Sequence, residues 1–379
     1  MRRTVPILAL SSAMLLLFGC GASSPSSSVT PAPEGAAYAT LAEWHFFKDA
    51  PNQVPEDGVV PYDVNARLFT DYALKHRFIY LPPGKKIGYE PDEVWDFPVG
   101  TIVIKTFAYP DNVSGPPKTA LGERLIETRL FIHESDGWKP YTYQWNDAQT
   151  EAKRLDVGDT VPVSWVDKDG QTRSIQYEIP SQQQCFECHG GGTTTRLLGP
   201  RTGELNRDWD YGAGPENQID HIASLGWLDK TPPPADQRIT YPEPFNRSDA
   251  PGGPAPLAER ARAYVQANCA HCHSPNGNVN YKKLYLDWDS TAVAPTAADG
   301  LSLGVCKHPT SGGCGGLQYD LVPGDAEESI LVCRISAVSP PAPAADMMPP
   351  LGRTIEDKEG VALVSEWIDS MAPSMCGGR

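Results

Sequence analysis

Cys185-Phe186-Glu187-Cys188-His189 and Cys269-Ala270-His271-Cys272-His273 repeat one pattern, C-x-x-C-H, with the two copies 84 residues apart. Two thiols at this spacing can each add to one vinyl group of a single porphyrin. The histidine that follows is then carried beneath the iron as its proximal ligand. For this composition one chance match is expected about 0.004 times per chain, so two matches are not coincidence. A structural zinc site built from two C-x-x-C pairs sets them roughly 15–20 residues apart. A thioredoxin-like pair needs a βαβ setting, and plain disulfides leave both histidines unexplained. The expectation is two covalently bound haem c groups, attached through Cys185, Cys188, Cys269 and Cys272, with His189 and His273 on iron.

The flanks of the motifs supply candidates for the remaining ligands. Leu257, Ala261, Tyr264, Val265 and Asn268 share one helical face, so a helix from Pro256 leads directly into the second motif. A closing helix over about 355–371 places Leu363, Val364, Trp367, Ile368 and Met371 on one stripe. Between them, Met347-Met348-Pro349-Pro350 offers a thioether to the second iron; Met348, before Pro-Pro, is preferred to Met347. Gly199-Pro200 follows the first motif by eleven residues, and its carbonyl is expected to accept the His189 Nδ1–H and orient the ring. For the first iron's sixth ligand the first choice is His221, on a helix expected within Pro215–Leu228, and the second is His76. An open, five-coordinate iron is the remaining alternative. Glu187 and Arg196 are the acid/base candidates nearest the motifs.

Upstream the rhythm is β. Segments 77–81, 101–109, 124–133, 141–145, 161–166 and 174–179 are rich in β-branched and aromatic residues, with turn signals between them. The expected fold is multidomain: an all-β, antiparallel, sandwich-like N-terminal domain followed by a mainly α, cytochrome c-like haem region. The divisions are a signal peptide at 1–19, a Ser/Pro-rich tether at 20–37, the β domain at 38–180, a first haem segment at 181–250, and a cytochrome c-like domain at 251–379.

The 32 Lys+Arg against 47 Asp+Glu leave a net charge of −15, which excludes a nucleic-acid binder relying on clustered phosphate neutralisation. The acidic surface suits a redox partner protein with a basic docking face. Arg2 and Arg3 precede an apolar run that ends in Leu17-Phe18-Gly19-Cys20, which resembles a bacterial lipoprotein signal with Cys20 as the lipidated residue. The expected location is therefore outside the cytoplasm, tethered by lipid in the periplasm or at the outer membrane. Cys306, Cys314, Cys333 and Cys376 remain, and in an oxidising compartment they allow three pairings. The favoured one is Cys306–Cys314 with Cys333–Cys376.

Longer phrases carry a further likeness. Leu68-Phe-Thr-Asp-Tyr-Ala-Leu-Lys-His-Arg-Phe78, Phe97-Pro-Val-Gly-Thr101, Tyr143-Gln-Trp-Asn146, Ala270-His-Cys-His-Ser-Pro-Asn-Gly277 and Met347-Met-Pro-Pro-Leu-Gly-Arg353 resemble a family of bacterial exported di-haem c-type cytochromes. The likeness spans most of residues 60–370. It departs at Thr70, where serine is common, and in the extra Cys306 and Cys314. It implies an exported haem protein of undefined pathway. Electron transfer is the leading functional expectation. The alternatives are a peroxidase- or dehydrogenase-like enzyme with one open haem, and a haem-containing sensor or binding module.

Overall fold

Alternation of apolar and polar residues places two different surfaces on each long strand. In the computed structural model, which describes residues 28–113, 115–191, 194–246, 255–292, 303–343 and 346–373, six strands form one antiparallel sheet. They are β1 (Val59–Tyr62), β2 (Leu74–Tyr80), β3 (Ile102–Pro110), β4 (Glu123–Glu134), β5 (Gly137–Trp145) and β6 (Ala152–Leu155), and chain neighbours are sheet neighbours throughout. One face buries Ile102, Ile104, Leu130, Ile132, Tyr143 and Trp145 against Leu41, Trp44 and Phe46. Val29 joins this core and the Thr30 N–H donates to the Trp44 carbonyl at 3.0 Å. The end of the expected tether, 28–37, thus packs on the sheet because its small apolar side chains cover aromatic surface.

The opposite face is divided in three. At one end Phe107, Tyr109 and Ile126 are covered by the hairpin β7 (Asp159–Val166) and β8 (Thr172–Ile179), through Val163, Trp165, Ile175 and Tyr177. This hairpin is the only second layer of sheet on that face among the described residues, so the expected sandwich is partial. At the other end Ile79, Val103, Phe131 and Trp138 pack against Leu205, Ile219, Ile222 and Leu228. The segment from 195 to 246 therefore shares a core with the β region rather than standing apart from it. Between the two apolar ends, Arg77, Lys105, Arg129 and Thr142 pair in register across β2, β3, β4 and β5.

Beyond Ile179 the chain enters α1 (Gln182–His189), opened by a reciprocal cap. The Ser181 hydroxyl accepts the Gln184 N–H at 3.3 Å, and the Gln184 side chain accepts the Ser181 N–H at 2.8 Å. Residues 215–228 are a short strand followed by α2 (Gln218–Ser224), shorter than the helix expected there. The C-terminal region is built on α3 (Leu257–Asn268), α4 (Ile330–Ser336) and α5 (Lys358–Asp369), whose core contains Ala261, Tyr264, Val265, Leu331, Ile335, Leu363, Val364, Trp367 and Ile368. The Tyr264 hydroxyl donates to Asp357 at 2.9 Å, locking α3 to the cap of α5.

The disulfide expectation is corrected. Cys314 bonds Cys333, with Cα atoms 6.0 Å apart, which rules out both favoured pairs. The loop before α4 folds back on that helix, so spatial neighbours are not sequence neighbours. Cys306 is also disulfide-bonded, and Cys20 and Cys376 lie outside the described residues, as does the expected signal peptide. Among the described residues no helix is long and apolar enough to cross a membrane.

Candidate cofactor site

Helix α1 carries the first motif to the junction of the β and α regions. Cys185, Cys188 and His189 line a cavity of about 990 Å³ whose walls include Phe131 and Lys105 of the sheet, Leu197, and Ala267, Ala270 and His271 around the second motif. The His189 ring lies 4.4 Å from the Phe131 ring, centre to centre. Burial drives its imidazole down to about 3, so it is neutral at ordinary pH. The Nδ1–H donates to the Arg196 carbonyl at 3.0 Å, which leaves the Nε2 lone pair for a metal. This corrects the assignment at Gly199-Pro200: the Pro200 carbonyl accepts the Trp95 N–H at 3.3 Å, although Pro200 does line the cavity. The antiparallel pairing of Gly190 with Thr195 brings Arg196 back to the ring sooner than the Gly-Pro spacing suggests.

The second motif follows α3 without a break, the Cys269 N–H donating to the Val265 carbonyl at 2.8 Å. Burial pushes the Cys269 thiol up to about 12 and the His273 imidazole down to about 4. His273 Nδ1 is buried near the Leu284 carbonyl but outside hydrogen-bond geometry. Met347 is buried, and Met348 is held on both sides of its peptide: its N–H donates to Arg334 at 2.9 Å and its carbonyl accepts from Arg353 at 2.8 Å. The charge of Arg334 also acts on His273, so the methionine loop and the second histidine share one neighbour.

The two motifs touch. Cys188, His271 and Cys272 each place a ligand atom within 4.8 Å of the others. The Cys188 thiol donates toward the Cys272 sulfur, which raises Cys188 and lowers Cys272. Arg196 adds a second link, its guanidinium donating to the Asn276 carbonyl at 2.6 Å and the His271 carbonyl at 2.7 Å. Asn278 donates to the Glu187 carbonyl at 2.9 Å. Arg196 is thus a structural hub, a role that only its neighbours reveal.

Neither expected sixth ligand reaches the cavity. His221 Nδ1 pairs with Glu216 at 2.9 Å and its ring stacks on Tyr211 at 3.5 Å. His76 adjoins Arg77 but lies on the opposite face of β2, where it pairs with Glu123 at 2.6 Å. Neither residue lines the cavity that holds Cys185 and His189, whereas His271 and Lys105 do.

The donor set fits a covalently attached porphyrin. All four motif thiols are outside disulfides, His189 is neutral and oriented, and the cavity is at the upper end of the range for small-molecule and cofactor sites. No protein-family model, curated protein or solved structure matches this chain.

Proposed function

We propose that the protein is a di-haem c-type cytochrome that passes electrons between partners outside the cytoplasm, anchored through Cys20. The observation carrying this reading is the convergence of both C-x-x-C-H motifs, with Cys188 and Cys272 brought within 4.8 Å. Haem supplies one-electron chemistry when bound. This chain's residues would do the rest. Cys185, Cys188, Cys269 and Cys272 would hold two groups through thioethers, with His189, His273 and Met348, or Met347, as iron ligands. Arg196 holds His189 in one tautomer through its carbonyl and fastens the second motif through its side chain. Helix α3, the second motif and the crossing helix α5 together resemble a class I cytochrome c domain. Because the attachment residues Cys188 and Cys272 are neighbours, the two groups would be held near one another, as an electron relay needs.

A competing reading is a zinc ion on Cys188, His271 and Cys272, three ligands with the spacing of a metal site. One preparation separates them. Expressed in a host with the c-type attachment machinery, the denatured chain should stay red and gain the mass of two haems, and the double variant Cys185→Ser, Cys188→Ser should gain one. A colourless chain that loses a bound metal to chelator would overturn the haem reading. Two low-spin haems inert to CO and peroxide would support electron transfer; a high-spin, CO-binding fraction at the first haem, whose expected ligands His221 and His76 stay outside the cavity, would move the assignment to an enzyme.

A further inference from the structure

One wall of the cavity is a row of cations carried by the sheet. Arg77, Lys105 and Arg129 stand opposite one another on β2, β3 and β4, all three lining the cavity, with Lys75 one pair further along β2. Like charges in register repel, and each is partly stripped of water. Arg77 pairs with Asp63 at 2.6 Å, but Asp63 is shared with Arg67 and Arg207. Arg129 pairs with Glu127, Nε to carboxylate at 2.8 Å, and Glu127 also accepts from the Tyr177 hydroxyl at 2.6 Å. Glu204, the other buried carboxylate on this wall, accepts the Arg201 N–H at 3.1 Å. Lys75 Nζ reaches only the Ala73 carbonyl, at 2.9 Å, and the edge of the Phe107 ring system, 5.8 Å from its centre.

Among the described residues Lys105 makes no hydrogen bond and no contact ion pair, and the carboxylates of Glu127 and Glu204 act on it only through space. Its Nζ stands 4.9 Å from the centre of the Phe107 ring, on which the Arg129 guanidinium also lies, at 4.4 Å. Lys105 therefore faces a cavity lined by Cys185, Cys188 and His189 without a close counter-charge, and burial together with the Arg77 guanidinium pushes its amine well below the ordinary lysine range. A haem whose vinyl groups are consumed by thioethers still carries two carboxylate side chains. Charge-assisted hydrogen bonds to those groups would turn a costly buried cation into a favourable one.

We propose that Lys105, flanked by Arg77 and Arg129, binds the carboxylates of the porphyrin attached through Cys185 and Cys188, so that the β region forms an electrostatic wall of the first haem site. The proposal rests on the di-haem reading above. The cations neutralise negative charge near the iron and so disfavour its oxidised state; removing one lowers the reduction potential of that haem.

The test uses the mature haem-loaded protein, with Lys105→Met to remove the charge at similar length and Lys105→Arg to restore it. Spectroelectrochemical titration should show one of two haem steps shifted to lower potential in Lys105→Met and both steps near wild type in Lys105→Arg. The resonance Raman propionate-bending band should move in Lys105→Met alone. Added succinate should leave the wild-type potential unchanged; a saturable shift that Lys105→Met abolishes would give the cations to a free carboxylate ligand and overturn the assignment to porphyrin. Two haems by mass with potential and Raman band unmoved in Lys105→Met overturn the proposal alone. A chain without haem in every variant overturns the reading beneath it.

Discussion

Arg196 shows how one residue can serve two sites. Its carbonyl is spent on His189 and its guanidinium on the carbonyls of Asn276 and His271, so the backbone and side-chain roles are separable. Arg196→Met keeps the carbonyl and removes both side-chain bonds. Each is a charge-assisted bond at a partly exposed site, and the variant should lose about 1–2 kcal/mol of stability in urea unfolding. The His189 tautomer should persist, seen as an unchanged Soret maximum for the first haem. A residue singled out in the sequence only as an acid/base candidate gains its importance from carbonyls 75 and 80 positions away.

At the scale of elements, the segment 67–72 before β2 docks the sheet onto the C-terminal region. The Asp71 carboxylate accepts the Thr354 N–H at 2.8 Å, the Thr354 hydroxyl at 2.9 Å and the Ile355 N–H at 3.1 Å. Nearby, the Phe69 N–H donates to Asn268 at the end of α3, at 2.7 Å. Asp71→Asn would turn one acceptor into a donor facing donors, at an expected cost of about 1–3 kcal/mol. Burial raises the Asp71 pKa above its ordinary value. Between the ordinary and the raised value the folded state binds more protons than the unfolded chain, so the stability contributed by Asp71 falls as pH rises through that window. The stability gap between wild type and Asp71→Asn, measured by denaturant unfolding below and above the window, should therefore be larger on the acid side. The strands themselves were legible because period-two patterning is local: the expected 101–109 and 124–133 correspond to 102–110 and 123–134. Helix α1 was not, since its eight residues are too polar for a hydrophobic period; only the Ser181–Gln184 cap announces it.

At the scale of the whole molecule, a chain of net charge −15 should meet a basic redox partner by long-range attraction. Raising ionic strength from about 0.01 M to 0.15 M shortens the Debye length from about 30 Å to 8 Å. The second-order rate of electron exchange with a small basic cytochrome should fall steeply over that range, as stopped-flow measurement at two salt concentrations would show; a rate indifferent to salt removes the steering argument. The paired C-x-x-C-H pattern is written locally, in two thiols three residues apart beside an imidazole, and the sheet in the alternation along each strand, so both are legible in the sequence alone. Tertiary structure decided which carbonyl orients His189, that Cys314 bonds Cys333, and that His221 stays outside the cavity. It also decided that Lys105 faces the first motif instead of water. The first two join residues only 7 and 19 positions apart but depend on how the chain between them turns, and the others depend on distant segments; spacing alone carries no information about either.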